Sequence, residues 1–153
     1  MRVAVGFDHR GFSVKSQVIG FVAAGGHEIL DFGTNSTESV DYPDYAAAVG
    51  EAVADGRADR GLIVCGSGVG ACVAANKING VRAAMCHDTY SAHQGVEHDD
   101  MNVLCLGSGI VGVSLIEEVV RAFLAAEFDT HEERFARRLR KIDALERGER
   151  LHT

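Results

Sequence analysis

Short, wholly apolar runs alternate along this chain with longer stretches in which apolar positions recur every three or four residues. Residues 2–7 (RVAVGF) read as a strand buried on both faces, and the spacing over residues 11–24 predicts the helix that follows. Residues 27–32 predict a second strand, after which the chain turns polar through Asn35, Ser36 and Thr37. Ala46, Val49, Ala52 and Val53 fall at helical spacing and place a helix over residues 44–55. Residues 61–65 (GLIVC) form a third apolar run, and a glycine-rich turn leads from it into a helix over residues 70–76. Two further strands are predicted at 81–86 and 102–106, with a helix at 88–94 between them. A strongly apolar helix follows at 113–126, and a charged final helix runs from about residue 130 to 147.

Regular β–α alternation implies an α/β protein with a parallel sheet of about five strands, helices on both faces, and an extended C-terminal helix. No repeat, linker or low-complexity segment interrupts the pattern, so residues 1–153 are expected to form a single domain. In such sheets ligands bind outside the carboxyl ends of the strands.

Composition narrows the setting. A hydrophobic content of 46% fits a globular protein and argues against disorder. No apolar run approaches the ~18 residues of a membrane span, and Asp8 comes too early for a signal peptide, so a soluble, cytoplasmic protein is expected. A net charge of −7 argues against nucleic-acid binding. Arg134, Arg137, Arg138, Arg140 and Lys141 nonetheless form a dense basic run near the C-terminus, either a solvated helix face or an anion site. The cysteines Cys65, Cys72, Cys86 and Cys105 include no CxxC pair and read as reduced thiols.

Candidate chemistry falls at the strand ends. The first strand ends in Asp8-His9-Arg10-Gly11 and the third in Cys65-Gly66-Ser67-Gly68-Val69-Gly70. His98-Asp99-Asp100 stand just before the fifth strand, and they are expected to gather with these residues at one edge of the sheet. Glycines let a backbone approach its ligand closely, and a helix start offers free N–H groups to a phosphate, a nucleotide or a developing enediolate. The spacing is not G-x-G-x-x-G and no Gly-Lys-Ser/Thr follows, which disfavours a dinucleotide or a P-loop. A thiol beside a helix start, as at Cys65, can serve as base or nucleophile. Paired with His98 it would also suit a hydrolase, so these residues alone leave both chemistries open. His87, Asp88, His93, His98 and Asp99 match no tight zinc spacing, and no metal is expected. Tyr42 and Tyr45 suit either sugar contact or packing at a helix start.

Together the segments GFDHRG, DYPDYA, IVCGSGVGACVAANKINGVRAA and HDDMNVLCLG, with the Arg134/Arg138 pair, closely resemble the ribose-5-phosphate isomerase B family, which also includes the subunits of galactose-6-phosphate isomerase. The resemblance covers nearly the whole chain. It implies a Rossmann-like three-layer α/β/α fold, a sugar-phosphate substrate, no cofactor, and a homodimer or dimer of dimers with shared active sites. Position by position it makes Cys65 the proton-abstracting base, Ser67 a hydroxyl that assists ring opening, and His98 the ring-opening acid. It makes the backbone of Gly66, Ser67, Gly68, Val69 and Gly70 the enediolate-binding turn, Asp8 and His9 substrate contacts, and Arg134 and Arg138 a phosphate clamp shared across the dimer. Some members lack the cysteine and carry Glu at the position of Ala71; here the cysteine is present and the Glu absent.

Two positions depart from the family pattern. Asp99 stands beside the sugar where Asn is usual, and Gly109 stands where many members carry an arginine that contacts phosphate. Arg10, where Ala is more usual, could supply the missing cation. The resemblance implies interconversion of ribose 5-phosphate and ribulose 5-phosphate. Allose 6-phosphate, galactose 6-phosphate or a tetrose 4-phosphate are alternative substrates. A non-catalytic phosphosugar-binding module and a nucleotide-binding regulator are the alternatives outside catalysis.

Overall fold

The computed structural model describes residues 1–151, so the last two positions of the expected domain lie outside the described residues. Among the described residues, five strands form one sheet: β1 (Arg2–Phe7), β2 (Glu28–Asp31), β3 (Arg60–Cys65), β4 (Ala83–Met85) and β5 (Val103–Gly107). Every neighbouring pair is parallel, in the order β2-β1-β3-β5-β4. The helices are α1 (Lys15–Ala24), α2 (Tyr42–Ala54), α3 (Val69–Ala75), α4 (Thr89–Asp99), α5 (Val113–Ala125) and α6 (Glu133–Glu146).

The period of two along each strand sorts the core into two halves. Val3, Val5, Phe7, Leu62, Val64, Leu104 and Leu106 point to one face, where Val18, Val22, Val96, Ile116 and Phe123 of α1, α4 and α5 cover them. Ala4, Ile63, Cys65, Val103 and Cys105 point to the other, against Val49, Ala52, Ala71 and Ala75 of α2 and α3. Each fully buried large residue, such as Phe7 or Leu62, contributes about 1.5–3 kcal/mol. The three-layer α/β/α arrangement is the expected one. The final helix, α6, lies apart from the sheet and packs on α4.

The chain leaves β1 toward β2 on one side and enters β3 on the other, so a topological switch point separates β1 from β3. The polar loop after β2 is tied down beside it. Lys15 is buried, ion-pairs with Asp31 at 2.8 Å, and donates to the carbonyls of Gly33 and Thr34 at 3.2 and 3.0 Å. With its charge paired and its donors satisfied, Lys15 closes this loop against the end of β1.

Most bounds shift by one to three residues from the sequence expectation, and three of the differences have a visible local cause. The stretch 11–24 begins as a 3-10 turn, Gly11–Val14, before α1. β4 is shorter than 81–86, because the Arg82 N–H goes to the Asn102 side chain at 2.8 Å rather than into a ladder. α4 runs on to Asp99 instead of ending at 94. Its start is capped by Asp88, whose carboxylate accepts the Ser91 N–H at 2.7 Å. Its end is made by Asp100 at φ 49°, a left-handed conformation unusual outside glycine. Arg82 steadies that turn, donating to the Asp100 carbonyl at 2.7 Å and to its carboxylate at 2.5 Å.

Candidate active site

Cys65 ends β3 at the carboxyl edge, beside the switch point. The residue is 4% exposed and belongs to the same buried cluster as Ala71 and Ala75 of α3, while Sγ accepts the Gly68 N–H at 3.1 Å. That acceptor role strengthens when sulfur carries charge. Gly68 reaches this position at φ +82°, where an added methyl group would stand 3.0 Å from the Leu106 carbonyl carbon. Only glycine makes this turn without strain. The first N–H groups of α3, ahead of the bond from Cys72 to Gly68, have no intrahelical acceptor; that of Val69 meets the Ser67 hydroxyl at 3.4 Å, and Ser67 and Val69 are exposed.

Neighbouring loops close round the turn. Asp8 is buried, and its Oδ1 accepts the N–H groups of Arg10 and Gly11 at 2.9 and 2.8 Å. Its visible work is to fold the loop after β1. His9 is half-buried, and its Nδ1 accepts the Val40 N–H at 3.2 Å, which leaves Nε2 as the proton-bearing nitrogen of the neutral ring. Tyr42, at the start of α2, lays its ring over Gly70, where an added methyl group would be 2.6 Å from Cζ. Of the two tyrosines, Tyr42 therefore borders the turn, whereas Tyr45 is half-buried along α2.

The expectation that His98, Asp99 and Asp100 join this edge is corrected by the structure. In a parallel sheet, a residue that precedes a strand lies at the amino edge. α4 starts beyond β4 at the carboxyl edge and runs back the full depth of the sheet before β5 begins. The strand β5 (Val103–Gly107) separates His98 from the level of Cys65 by roughly 15 Å. His98 stacks on Phe135 of α6 with ring centroids 4.0 Å apart, and the Gln94 amide nitrogen lies 2.9 Å from its Nδ1. Arg134 places its guanidinium carbon 4.9 Å from the Phe135 ring, with Glu132 at 3.6 Å. Arg134 and Arg138 are both exposed, four residues apart on one face of α6. Asp99 is exposed in a groove of about 540 Å³ whose walls include Arg82, Met101, Ile142 and Leu145.

One chain thus carries two clusters at opposite edges of its sheet. Cys65, Ser67, the glycine turn, Asp8, His9 and Tyr42 form the first. His98, Asp99, Arg134 and Arg138 form the second.

Two contributors at the carboxyl edge escaped the sequence reading. The Ser108 hydroxyl bridges the carbonyls of Arg10 and Cys65 at 2.9 and 3.2 Å, joining the loops after β1, β3 and β5. His87, weighed only as a metal ligand, accepts the Gly107 N–H on Nε2 at 3.1 Å and so fixes the end of β5. Both stand within two residues of a strand's carboxyl end, and that position is the available signal. Among the described residues no three His, Cys, Asp or Glu side chains converge to hold a metal ion, and no helix is long and apolar enough to cross a membrane.

Comparison with known proteins places these clusters in context. A family model described as Ribose/Galactose Isomerase matches residues 3–142. Ribose-5-phosphate isomerase B of Escherichia coli is 42% identical over 145 residues, covering 95% of this chain and 96% of that protein. D-erythrulose-4-phosphate isomerase of Pectobacterium atrosepticum is 37% identical over 130 residues, covering 84% of this chain and 86% of that one. The solved structure of Clostridium thermocellum ribose-5-phosphate isomerase B superposes with a TM-score of 0.92 at 43% identity, over 97% of this chain and 99% of that chain.

Proposed function

The chain belongs to the ribose/galactose isomerase family, whose model spans residues 3–142, and on that premise we propose that it interconverts ribose 5-phosphate and ribulose 5-phosphate with Cys65 as the base. The observation that carries this reading is Cys65 itself. It ends β3 with Sγ held by the Gly68 N–H at 3.1 Å, and Ala71 rather than a glutamate follows it on α3.

In the proposed reaction His98 and Ser67 assist opening of the sugar ring. The Cys65 thiolate then takes the proton from C2 of the aldose. The C–H electron pair forms the C1–C2 double bond, and the carbonyl electrons move onto the C1 oxygen, giving a cis-enediolate. Return of that proton from the Cys65 thiol to C1, with transfer of the proton on the C2 oxygen to the C1 oxygen, yields the ketose and regenerates the thiolate. N–H groups of the glycine turn stabilise the enediolate oxygen, a kind of interaction typically worth several kcal/mol when pre-aimed. Asp8 and His9 hold the substrate beside the turn. Asp99, at a position next to the sugar, sets an extra carboxylate there. Arg134 and Arg138 bind the phosphate, which positions the reacting carbons without taking part in the proton transfer.

The placement of the residues supports a homodimer. Neither edge cluster has both the proposed base and the proposed ring-opening histidine, so the cluster at the amino edge of one protomer is proposed to complete the carboxyl-edge cluster of its partner. Exposed Val69, Val73, Met85 and Tyr90 lie around the Cys65 edge and give that contact an apolar surface. The enzyme is proposed to work in the cytoplasm without metal or organic cofactor.

The Pectobacterium relative makes a four-carbon sugar phosphate the second reading. Ketose formation measured on ribose 5-phosphate, allose 6-phosphate, galactose 6-phosphate and tetrose 4-phosphates decides between them. The highest kcat/KM on ribose 5-phosphate supports the first reading, and the highest value on a tetrose phosphate replaces it. Saturable binding without turnover of any of them would indicate a non-catalytic module.

A further inference from the structure

Arg10 is fixed by its own backbone. Its N–H is held by Asp8 at 2.9 Å, and its carbonyl accepts the hydroxyls of Ser108 and Ser13 at 2.9 and 3.3 Å. From that anchor the side chain lies across the glycine turn. A methyl group added to Gly66 would stand 2.7 Å from Nε and 2.8 Å from both Cδ and Cζ, so the guanidinium rests on the bare Cα of Gly66. A methyl group on Gly109 would be 3.6 Å from Nη2. Gly109 is itself bound to Gly66 through its N–H at 3.0 Å. Gly66 therefore leaves the space that this guanidinium fills, and Gly109 borders it from a second loop.

The group is also without a counter-charge. Arg10 is exposed, and among the described residues its guanidinium has neither a hydrogen bond nor a carboxylate within 4.0 Å. By contrast Arg82, Arg121 and Arg140 have carboxylates at 2.5, 2.6 and 2.6 Å. An anion arriving at Arg10 breaks no internal ion pair. A guanidinium stays charged at any working pH, so it suits binding rather than proton transfer. Its planar fork matches two oxygens of a phosphate monoester.

We propose that Arg10 is the residue through which the Cys65 edge grips the substrate phosphate, its guanidinium seated on Gly66 and bordered by Gly109. The inference rests on the isomerase reading for the identity of the substrate. It adds a cation on the Cys65 side, opposite Arg134 and Arg138 of the other protomer. A side chain at position 109 would start 3.6 Å from the Arg10 Nη2, so a cation at either position addresses the same place.

The test uses the full chain and inorganic phosphate as the probe. Arg10→Ala is expected to weaken phosphate binding about 10- to 100-fold and to raise KM for the sugar phosphate by a similar factor, with kcat changed much less. Arg10→Lys should fall between the two. The double variant Arg10→Ala/Gly109→Arg should recover a large part of the loss, which repair of a merely structural defect would not produce. Unchanged phosphate affinity and KM in Arg10→Ala overturns the proposal. So does a loss of phosphate affinity that neither Arg10→Lys nor the double variant reduces. Phosphate binding is read without turnover, so inactivity on every sugar phosphate would fall on the isomerase reading and still leave Arg10 decided.

Discussion

The His98 ring lies on the Phe135 ring, with centroids 4.0 Å apart and planes 22° from parallel. The contact joins the last turn of α4 to the first turn of α6, and Arg134 adds its guanidinium above the same phenyl ring. The histidine and the basic run of α6 are therefore placed by one buried aromatic side chain, 3% exposed. Phe135→Ala should cost about 3 kcal/mol of stability, through the lost burial and the cavity left behind. It should also lower kcat/KM for the sugar phosphate. Chemical denaturation and steady-state kinetics measure both, and unchanged kinetics in a destabilised protein would show that the stack only holds the helices together.

Removal of the thiol tests the chemistry most directly. Cys65→Ala changes a small buried group at the end of β3 and should fold normally. Inorganic phosphate binding is expected to survive while isomerisation falls by several orders of magnitude. Turnover near that of the unaltered protein would remove Cys65 from the mechanism.

The separation of Cys65 from His98 gives a complementation test. Cys65→Ala and His98→Ala are each expected to be nearly inactive as pure dimers. After mixing and subunit exchange, half of the dimers are hybrids, and each hybrid holds one site with both groups intact. Activity should return to about a quarter of the unaltered level. A mixture that stays as inactive as its components would mean that each chain supplies both groups to one site, or that the protomers do not pair.

The thiols give a pH signature. Cys72 is pulled down to about 7, first by its hydrogen bond with the Cys105 thiol, with the Met85 backbone and the Asn76 amide adding to this against burial. Cys86 is pushed up to about 11, chiefly by burial and then by the Asp88 carboxylate. A thiol whose folded value lies below its ordinary 9.0 adds stability that is complete above pH 9.0 and lost as pH falls through about 7. Cys86 acts with the opposite sign above 9.0, where the unfolded thiol ionises and the folded one does not. Thiolate absorbance should show one step near pH 7 that disappears in Cys72→Ser. The same variant should flatten the rise in denaturation midpoint between pH 7 and 9. Persistence of the step would assign it to another thiol.

The layers of the fold were legible because strands buried on both faces read as unbroken apolar runs. Val3–Phe7 and Leu62–Cys65 carry that signal without ambiguity, and the sheet order puts their ends side by side. The Cys65 turn was legible for a local reason too, since Gly68 must adopt a positive φ directly after the strand. The edge of His98 is legible too, since a residue just before a strand of a parallel sheet stands at the amino edge, but the end of α4 is not. α4 ends at Asp100, whose left-handed turn is held by Arg82 from the start of β4, so the stop signal is a tertiary contact and no glycine marks it. The expectation that groups His98, Asp99 and Asp100 with the thiol fails because it counts the start of β5 among the carboxyl ends of the strands. The roles of Ser108 and His87 depend on loops that meet only in the folded chain.

On the proposed mechanism, a chain whose thiol and imidazole lie at opposite ends of its sheet cannot complete a site alone. If two copies must meet before either can turn over substrate, dilution becomes a form of inhibition. Specific activity should decline once the protein concentration falls below the dissociation constant of the pair, and it should return on concentrating the sample.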